Sequence, residues 1–266
     1  MTFTNRTNRT SAIVLTAVLG ASFLSACSSS NSSDGKEAQV VNSGSFTCAM
    51  SGEYRPFNFY GENNKLEGFD VDICGAVAKV LELKPKPVTG AFNTLVAGLQ
   101  ANRYDAIVGS MAVTPEREKV VNFSKPYYKT GAQLFVSQAS SVNDVRGLKN
   151  ASVGVALGTT FEAYAKKLDG VGKVKTYQAD IDALKDLQAG RVDAVITQGF
   201  MGKFLIKSSG LKLKAVGNVL FPDVAAIPVN KSNPALLKKI DAALVTITKD
   251  GDYAKISQKW FGEDIS

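Results

Sequence analysis

Leu99-Gln100-Ala101-Asn102-Arg103-Tyr104-Asp105-Ala106-Ile107-Val108 is echoed further along the chain by Leu187-Gln188-Ala189-Gly190-Arg191-Val192-Asp193-Ala194-Val195-Ile196, with six of the ten positions identical. Each copy reads as a helix end, a tight turn and a buried strand. Gly190 suits a left-handed helix C-cap, and Asn102 is the next best residue for that conformation. One echo is too few for a solenoid. It predicts two lobes, each holding the same helix–strand unit. The strands end at Gly109-Ser110 and at Thr197-Gln198. In open α/β sheets ligands bind beyond the carboxyl ends of strands, so two facing lobes would present both ends to one cleft.

Outward from the echo, strand and helix signals alternate. Ser45 to Ser51 is strand-like, and Val71 to Leu83 has helical periodicity ended by Pro85 and Pro87. Asn93 to Ala101 reads as helix and Tyr104 to Val108 as strand. Lys119 to Phe123 leads into an extended run, Gly131 to Ser137. Ala151 to Ala156 reads as strand, Phe161 to Leu168 and Ile181 to Ala189 as helices, and Val192 to Thr197 as strand. Leu236 to Thr248 and Tyr253 to Phe261 close the chain as helices. This alternation predicts an α/β architecture with largely parallel sheets.

Composition narrows the function classes. The 266 residues are 45% hydrophobic and 21% charged, ordinary for a globular protein. With no histidine in the chain, His-dependent triads and the usual His-containing zinc sites are excluded, while carboxylate chemistry is not. The N-terminus reads as a signal rather than as fold. Arg6 and Arg9 form a basic start, and Ala12 to Phe23 is a mostly apolar run too short for a span of about 20 residues. It ends at Leu24-Ser25-Ala26-Cys27, which resembles a bacterial lipobox, with Cys27 as the lipidated residue. The competing reading is an ordinary secretory signal with a chance cysteine. Ser28-Ser29-Ser30-Asn31-Ser32-Ser33-Asp34-Gly35 then forms a polar tether. Residues 1–26 are thus expected to be signal peptide and 27–43 lipidated cysteine and tether. Loss of the signal lowers the formal net charge of +7 by two. The lysines are scattered rather than blocked and carry no nucleic-acid signature. Cys48 and Cys74 either pair or sit as two small buried hydrophobes.

Several residues point toward the predicted cleft. Thr114-Pro115-Glu116-Arg117 is a helix start, with Thr114 as N-cap and Pro115 at the first helical position. Arg117 in that first turn gains nothing from the helix dipole, and reads either as a surface arginine or as a fork for a carboxylate. In Gly158-Thr159-Thr160-Phe161-Glu162, Thr159 and Glu162 fit a capping box, and the glycine leaves backbone N–H groups open to an anion. Tyr54-Arg55-Pro56-Phe57 and Phe92 supply aromatic faces.

The ordered set is specific. Tyr54-Arg55-Pro56-Phe57, Gly68-Phe69-Asp70-Val71-Asp72, Val113-Thr114-Pro115-Glu116-Arg117, Phe123-Ser124-Lys125-Pro126-Tyr127-Tyr128, Gly158-Thr159-Thr160, Gly190-Arg191-Val192-Asp193-Ala194, Gly251-Asp252-Tyr253 and Lys259-Trp260-Phe261-Gly262 occur in one order. Over residues 44–263 the chain resembles the amino-acid-binding family of bacterial extracytoplasmic solute-binding proteins. The resemblance implies a two-lobed type II periplasmic-binding-protein fold that closes on its ligand. It implies lobe 1 at 44–136 and 224–266, lobe 2 at 137–223, and crossovers near Val136 to Ala139 and Leu220 to Ala226. It also implies an exported, monomeric, cofactor-free binding protein rather than an enzyme. Its partners would be a small carboxylated ligand, an ABC permease and, through the lipid, the membrane surface.

Carried onto this chain, the ligand-binding set is Ser51, Glu53, Tyr54, Phe92, Gly109, Ser110, Ala112, Arg117, Gly158, Thr159, Thr160 and Gln198. Tyr54 and Phe92 would stack on the ligand, Ser110 would hydrogen-bond it, and Arg117 with the Thr160 backbone would hold its carboxylate. Asp70 and Asp72 read as structural. The chain departs from the family in two places. Relatives often carry Ser or Thr at Ala112, and many carry, at Gln198, an Asp that neutralises the ligand's ammonium. Either another acid compensates, with Glu53 the candidate, or the ligand lacks a free α-ammonium. Dehydratases on this fold have a catalytic glutamate at the position of Met201, which cannot transfer a proton. A sensor without transport would share the same fold and site.

Overall fold

The computed structural model describes residues 38–266. Strand Ser45–Met50 opens the fold and is buried from Phe46 on, because both of its faces are covered. Phe46, Cys48 and Met50 face one side, where they pack with Phe69, Ile73 and Val77 of helix Phe69–Val80 and Ile240 of helix Pro234–Lys249. Ala49 faces the other side, among Leu95, Leu99 and Ile107. The first sheet runs Lys84–Thr89, Ser45–Met50, Ala106–Ile107, Pro228–Asn230, Val121–Phe123. Cys48 and Cys74, both fully buried, form a disulfide with 6.3 Å between their Cα atoms. It ties the first strand to helix Phe69–Val80, so the two cysteines are partners and not merely small core residues.

The second sheet runs Val171–Tyr177, Ala151–Ala156, Ala194–Gln198, Tyr128–Ser137, Leu213–Val216. Helices Thr160–Ala165, Asp180–Gln188 and Gly199–Ser208 pack against it. Leu134, Val136, Val153 and Val155 fill one side, while Phe135, Ala183 and Leu184 join the core on the other. The echoed units stand at matching places in the two sheets. Asn102 and Gly190 both adopt left-handed φ, 53° and 71°. Asp105 accepts from the backbone N–H of Thr47 at 2.6 Å, and Asp193 from that of Ser152 at 2.7 Å. Each aspartate ties the turn to the neighbouring strand.

One expectation changes. The sheets are mixed rather than largely parallel, because Pro228–Asn230 and Tyr128–Ser137 run antiparallel to their neighbours. Val136 pairs with both Ala194 and Lys214 inside the second sheet. Tyr128–Gly131, at the start of the same ten-residue strand, pairs with Pro222–Ala225.

Among the described residues no helix is long and apolar enough to cross a membrane. The predicted signal, Cys27 and the serine-rich tether lie outside the described residues.

Candidate functional site

A cavity lies where the strand ends of both sheets converge, with about 650 Å³ of empty space including the solvent at its mouth. Eleven of the twelve residues expected from the sequence line it: Ser51, Glu53, Tyr54, Phe92, Gly109, Ser110, Ala112, Arg117, Thr159, Thr160 and Gln198. Gly158 lies just behind the lining, where its carbonyl accepts from Arg117 Nη2 at 2.9 Å. Met201 is fully buried in the core and does not reach the cavity.

Arg117 is placed by its own short helix, Pro115–Glu118. The Thr114 hydroxyl accepts from the Arg117 backbone N–H at 3.2 Å. The guanidinium donates through Nη1 to the Ala112 carbonyl at 2.6 Å and, across the cleft, through Nη2 to that of Gly158. It lies 5.6 Å from the Phe92 ring centre. Among the described residues it forms no ion pair within 4.0 Å. Burial pulls its pKa below the ordinary value, opposed by Asp223 and Glu116. The group therefore remains a cation whose hydrogen bonds reach only neutral carbonyls.

On the facing side, Thr159 caps helix Thr160–Ala165. Its hydroxyl accepts from the Glu162 N–H at 3.3 Å, and Glu162 Oε2 reaches back to the Gly158 N–H at 2.6 Å. This is the expected capping box, shifted by one residue on its return leg. The Thr160 hydroxyl donates to Asp223 Oδ2 at 2.8 Å. Burial raises the Asp223 pKa, opposed by Thr160, the Val224 backbone and Arg117.

Asp70 has a larger role than opening a helix. It is fully buried and accepts from Asn58 Nδ2 at 2.6 Å, Ser110 Oγ at 2.8 Å and Tyr127 Oη at 2.7 Å. Asn58 Oδ1 in turn accepts from Ser51 Oγ at 2.9 Å and the Gly52 N–H at 2.8 Å. Ser110 holds φ at 55°, a sparsely populated conformation for a residue with a Cβ. Its N–H donates to the Tyr127 hydroxyl at 2.8 Å. With its hydroxyl proton committed to Asp70, Ser110 offers the cavity an acceptor. Burial pushes the Asp70 pKa up to about 6, against the three hydrogen bonds it accepts. Asp72 is structural, as expected: it accepts from Lys259 Nζ at 2.6 Å and Trp260 Nε1 at 2.7 Å, anchoring helix Asp252–Phe261.

Gln198 is the N-cap of helix Gly199–Ser208, and its Oε1 accepts from the Met201 N–H at 2.5 Å. That bond holds the amide oxygen at the helix start and leaves both N–H donors free for other neighbours. Tyr54 lines the cavity while stacking on Phe57, which is core, with ring centres 5.0 Å apart.

Tyr128, Thr130, Phe161, Asp180 and Asp223 also line the cavity, and sequence reasoning missed them. Asp180 is 5% exposed and accepts from the Thr197 hydroxyl at 2.6 Å through Oδ1. Burial raises its pKa to about 6, with Thr197 and its own backbone N–H opposing. A signal for it was available. Asp180 follows the end of strand Val171–Tyr177 and opens helix Asp180–Gln188, the same position relative to a strand that singled out Ser110 and Gln198.

A family model described as bacterial extracellular solute-binding proteins, family 3, matches residues 46–263. The chain is 36% identical over 259 residues to the probable amino-acid-binding protein YxeM of Bacillus subtilis (strain 168), covering 96% of this chain and 95% of that protein. It is 30% identical over 231 residues to the L-cystine-binding protein TcyJ of Escherichia coli (strain K12), covering 86% of each. An ancestral arginine-binding protein solved with arginine matches at a TM-score of 0.79 and 37% identity, covering 82% of this chain and 99% of that one.

Proposed function

This chain belongs to family 3 of the bacterial extracellular solute-binding proteins, and on that premise we propose that it is the amino-acid-binding component of an ABC importer. The observation that carries the ligand reading is Arg117. Its guanidinium lines the cavity, bonds only to neutral carbonyls and has no ion-pair partner within 4.0 Å among the described residues. A carboxylate is the complement of a planar cation so placed. Tyr54 and Phe92 offer apolar faces to the body of the ligand. Ser51, Glu53, Gly109, Ser110, Ala112, Gly158, Thr159, Thr160 and Gln198 complete the site. The lobes close by bending at the paired segments Tyr128–Gly131 and Pro222–Ala225, and the closed form delivers its ligand to a membrane permease.

The test is a thermal-shift screen of the purified mature protein against the twenty amino acids and L-cystine. A ligand bound to the folded state alone, at 100 times its dissociation constant, raises stability by about 2.7 kcal/mol. Shifts with one or more amino acids and none with their carboxamides are expected. A full panel without a shift sinks the reading.

Export and anchoring belong to the same proposal: residues 1–26 are a signal peptide, and Cys27 carries the lipid. Cys27→Ser is expected to move the protein from the membrane fraction to the soluble fraction of an expressing bacterium. Retention of that variant on membranes would instead make the apolar run Ala12 to Phe23 the anchor.

A further inference from the structure

We propose that Asp180 is the specificity-determining counter-charge for the ligand's ammonium, so that this protein selects amino acids with a free amino group although Gln198 offers the cavity no charge. The inference rests on the amino-acid reading above and adds the residue that makes the site fit a zwitterion.

Four charged side chains line the cavity, Arg117, Glu53, Asp180 and Asp223, and among the described residues none is ion-paired within 4.0 Å. Arg117 is the cation; of the three acids, Asp180 is the most deeply buried, at 5% exposed. Oδ1 is held by the Thr197 hydroxyl. Oδ2 accepts from no other described residue, yet among the described residues no buried side-chain oxygen is left unpartnered, which is consistent with Oδ2 reaching the cavity. A buried carboxylate without a cation is costly, and such groups are found paired. A ligand ammonium would supply the missing partner. Burial pushes the Tyr54 hydroxyl well above its ordinary pKa, and the Asp180 carboxylate adds to that push.

The competing acids fit less well. Glu53 is exposed on the rim, where water screens it. Asp223 already accepts from Thr160 and feels the Arg117 charge. Gln198 carries no charge, and its oxygen already caps a helix through the Met201 N–H. Ser110 faces the cavity as an acceptor and can take one of the ammonium's three protons.

Asp180→Asn is the informative variant, because the amide oxygen can still accept from Thr197. Calorimetry would use L-arginine, L-glutamine and L-cystine, and the des-amino counterparts 5-guanidinopentanoate and 4-carbamoylbutanoate. For an amino acid that the wild type binds, Asp180→Asn should weaken affinity by about thirtyfold or more, the low end for truncating one side of a buried charge pair. The wild-type preference over the des-amino counterpart should collapse in the variant. The melting temperature without ligand should stay level or rise, since a buried charge has been removed; a purely structural Asp180 would lower it. Affinity within about threefold of wild type would overturn the role of Asp180 and leave the amino-acid reading standing. So would equal wild-type affinity for an amino acid and its des-amino counterpart. A wild type that binds none of the panel fails at the earlier step, before Asp180 is reached.

Discussion

Arg117→Ala abolishes measurable binding of the amino acid that the wild type takes, and leaves the fold intact. The ligand carboxylate loses a charged, forked donor inside a closed cleft and keeps its desolvation cost. Truncating one member of such a pair costs about 2–5 kcal/mol, a loss of roughly thirtyfold to several thousandfold. The closed state also loses the link from Arg117 to the Gly158 carbonyl across the cleft. The local helix survives, because its cap is made by the Arg117 backbone N–H and not by the side chain. Arg117→Lys fails as well. Two carbonyls occupy both terminal nitrogens of the guanidinium, and an ammonium cannot hold them and a carboxylate in one plane. Calorimetry with L-glutamine and L-arginine reads the affinity, and circular dichroism melting reads the fold. A melting temperature near wild type with unchanged affinity would remove Arg117 from the site.

The carboxylate half of the site was legible because its signals are local. Thr114-Pro115 marks a helix start, Thr159 and Glu162 mark another, and the repeated Arg-x-Asp-Ala turn puts two strand ends in register. All of these depend on residues a few positions apart, and capping and turn chemistry act over that range. The strand-end signal that would have singled out Asp180 went unread because the strand before it was missed. Val171–Tyr177 lies at a sheet edge and alternates Lys173 and Lys175 with less polar residues, so it lacks the apolar run of a central strand. With no strand recognised there, Asp180 read as the residue before a helix. Lys84–Thr89 escaped for a related reason. Pro85 and Pro87 read as the end of a helix, yet an edge strand tolerates proline. Helix Gly199–Ser208 is masked by Gly202, which lies against the Phe135 ring: a Cβ there would come within 2.3 Å of it. Asp223 and Tyr128 enter the cavity only because Tyr128–Gly131 and Pro222–Ala225 pair. That long-range pairing leaves no local trace.

Replacing both Cys48 and Cys74 by alanine lowers stability by about 3.5 kcal/mol while leaving ligand affinity unchanged. The bond closes a loop with a sequence separation of 26, and the loop-entropy relation gives about 3.5 kcal/mol at 25 °C for that length. For a chain of this size each kcal/mol moves the melting temperature by about 2–4 °C, so a fall of about 7–14 °C is expected. Both sulfurs lie in the dry core beside Phe46, Ile73 and Val77, and alanine fits there without burying a polar group. Neither cysteine lines the cavity. Strand Ser45–Met50 keeps its register through pairing with Lys84–Thr89 and Ala106–Ile107, so Ser51 at its end stays in place. Melting the double variant beside wild type, with and without L-glutamine or L-arginine, separates the two effects. A melting temperature within about 2 °C of wild type would mean that the cross-link adds little beyond the core around it. A normal melting temperature with weakened binding would instead give the disulfide a part in positioning Ser51.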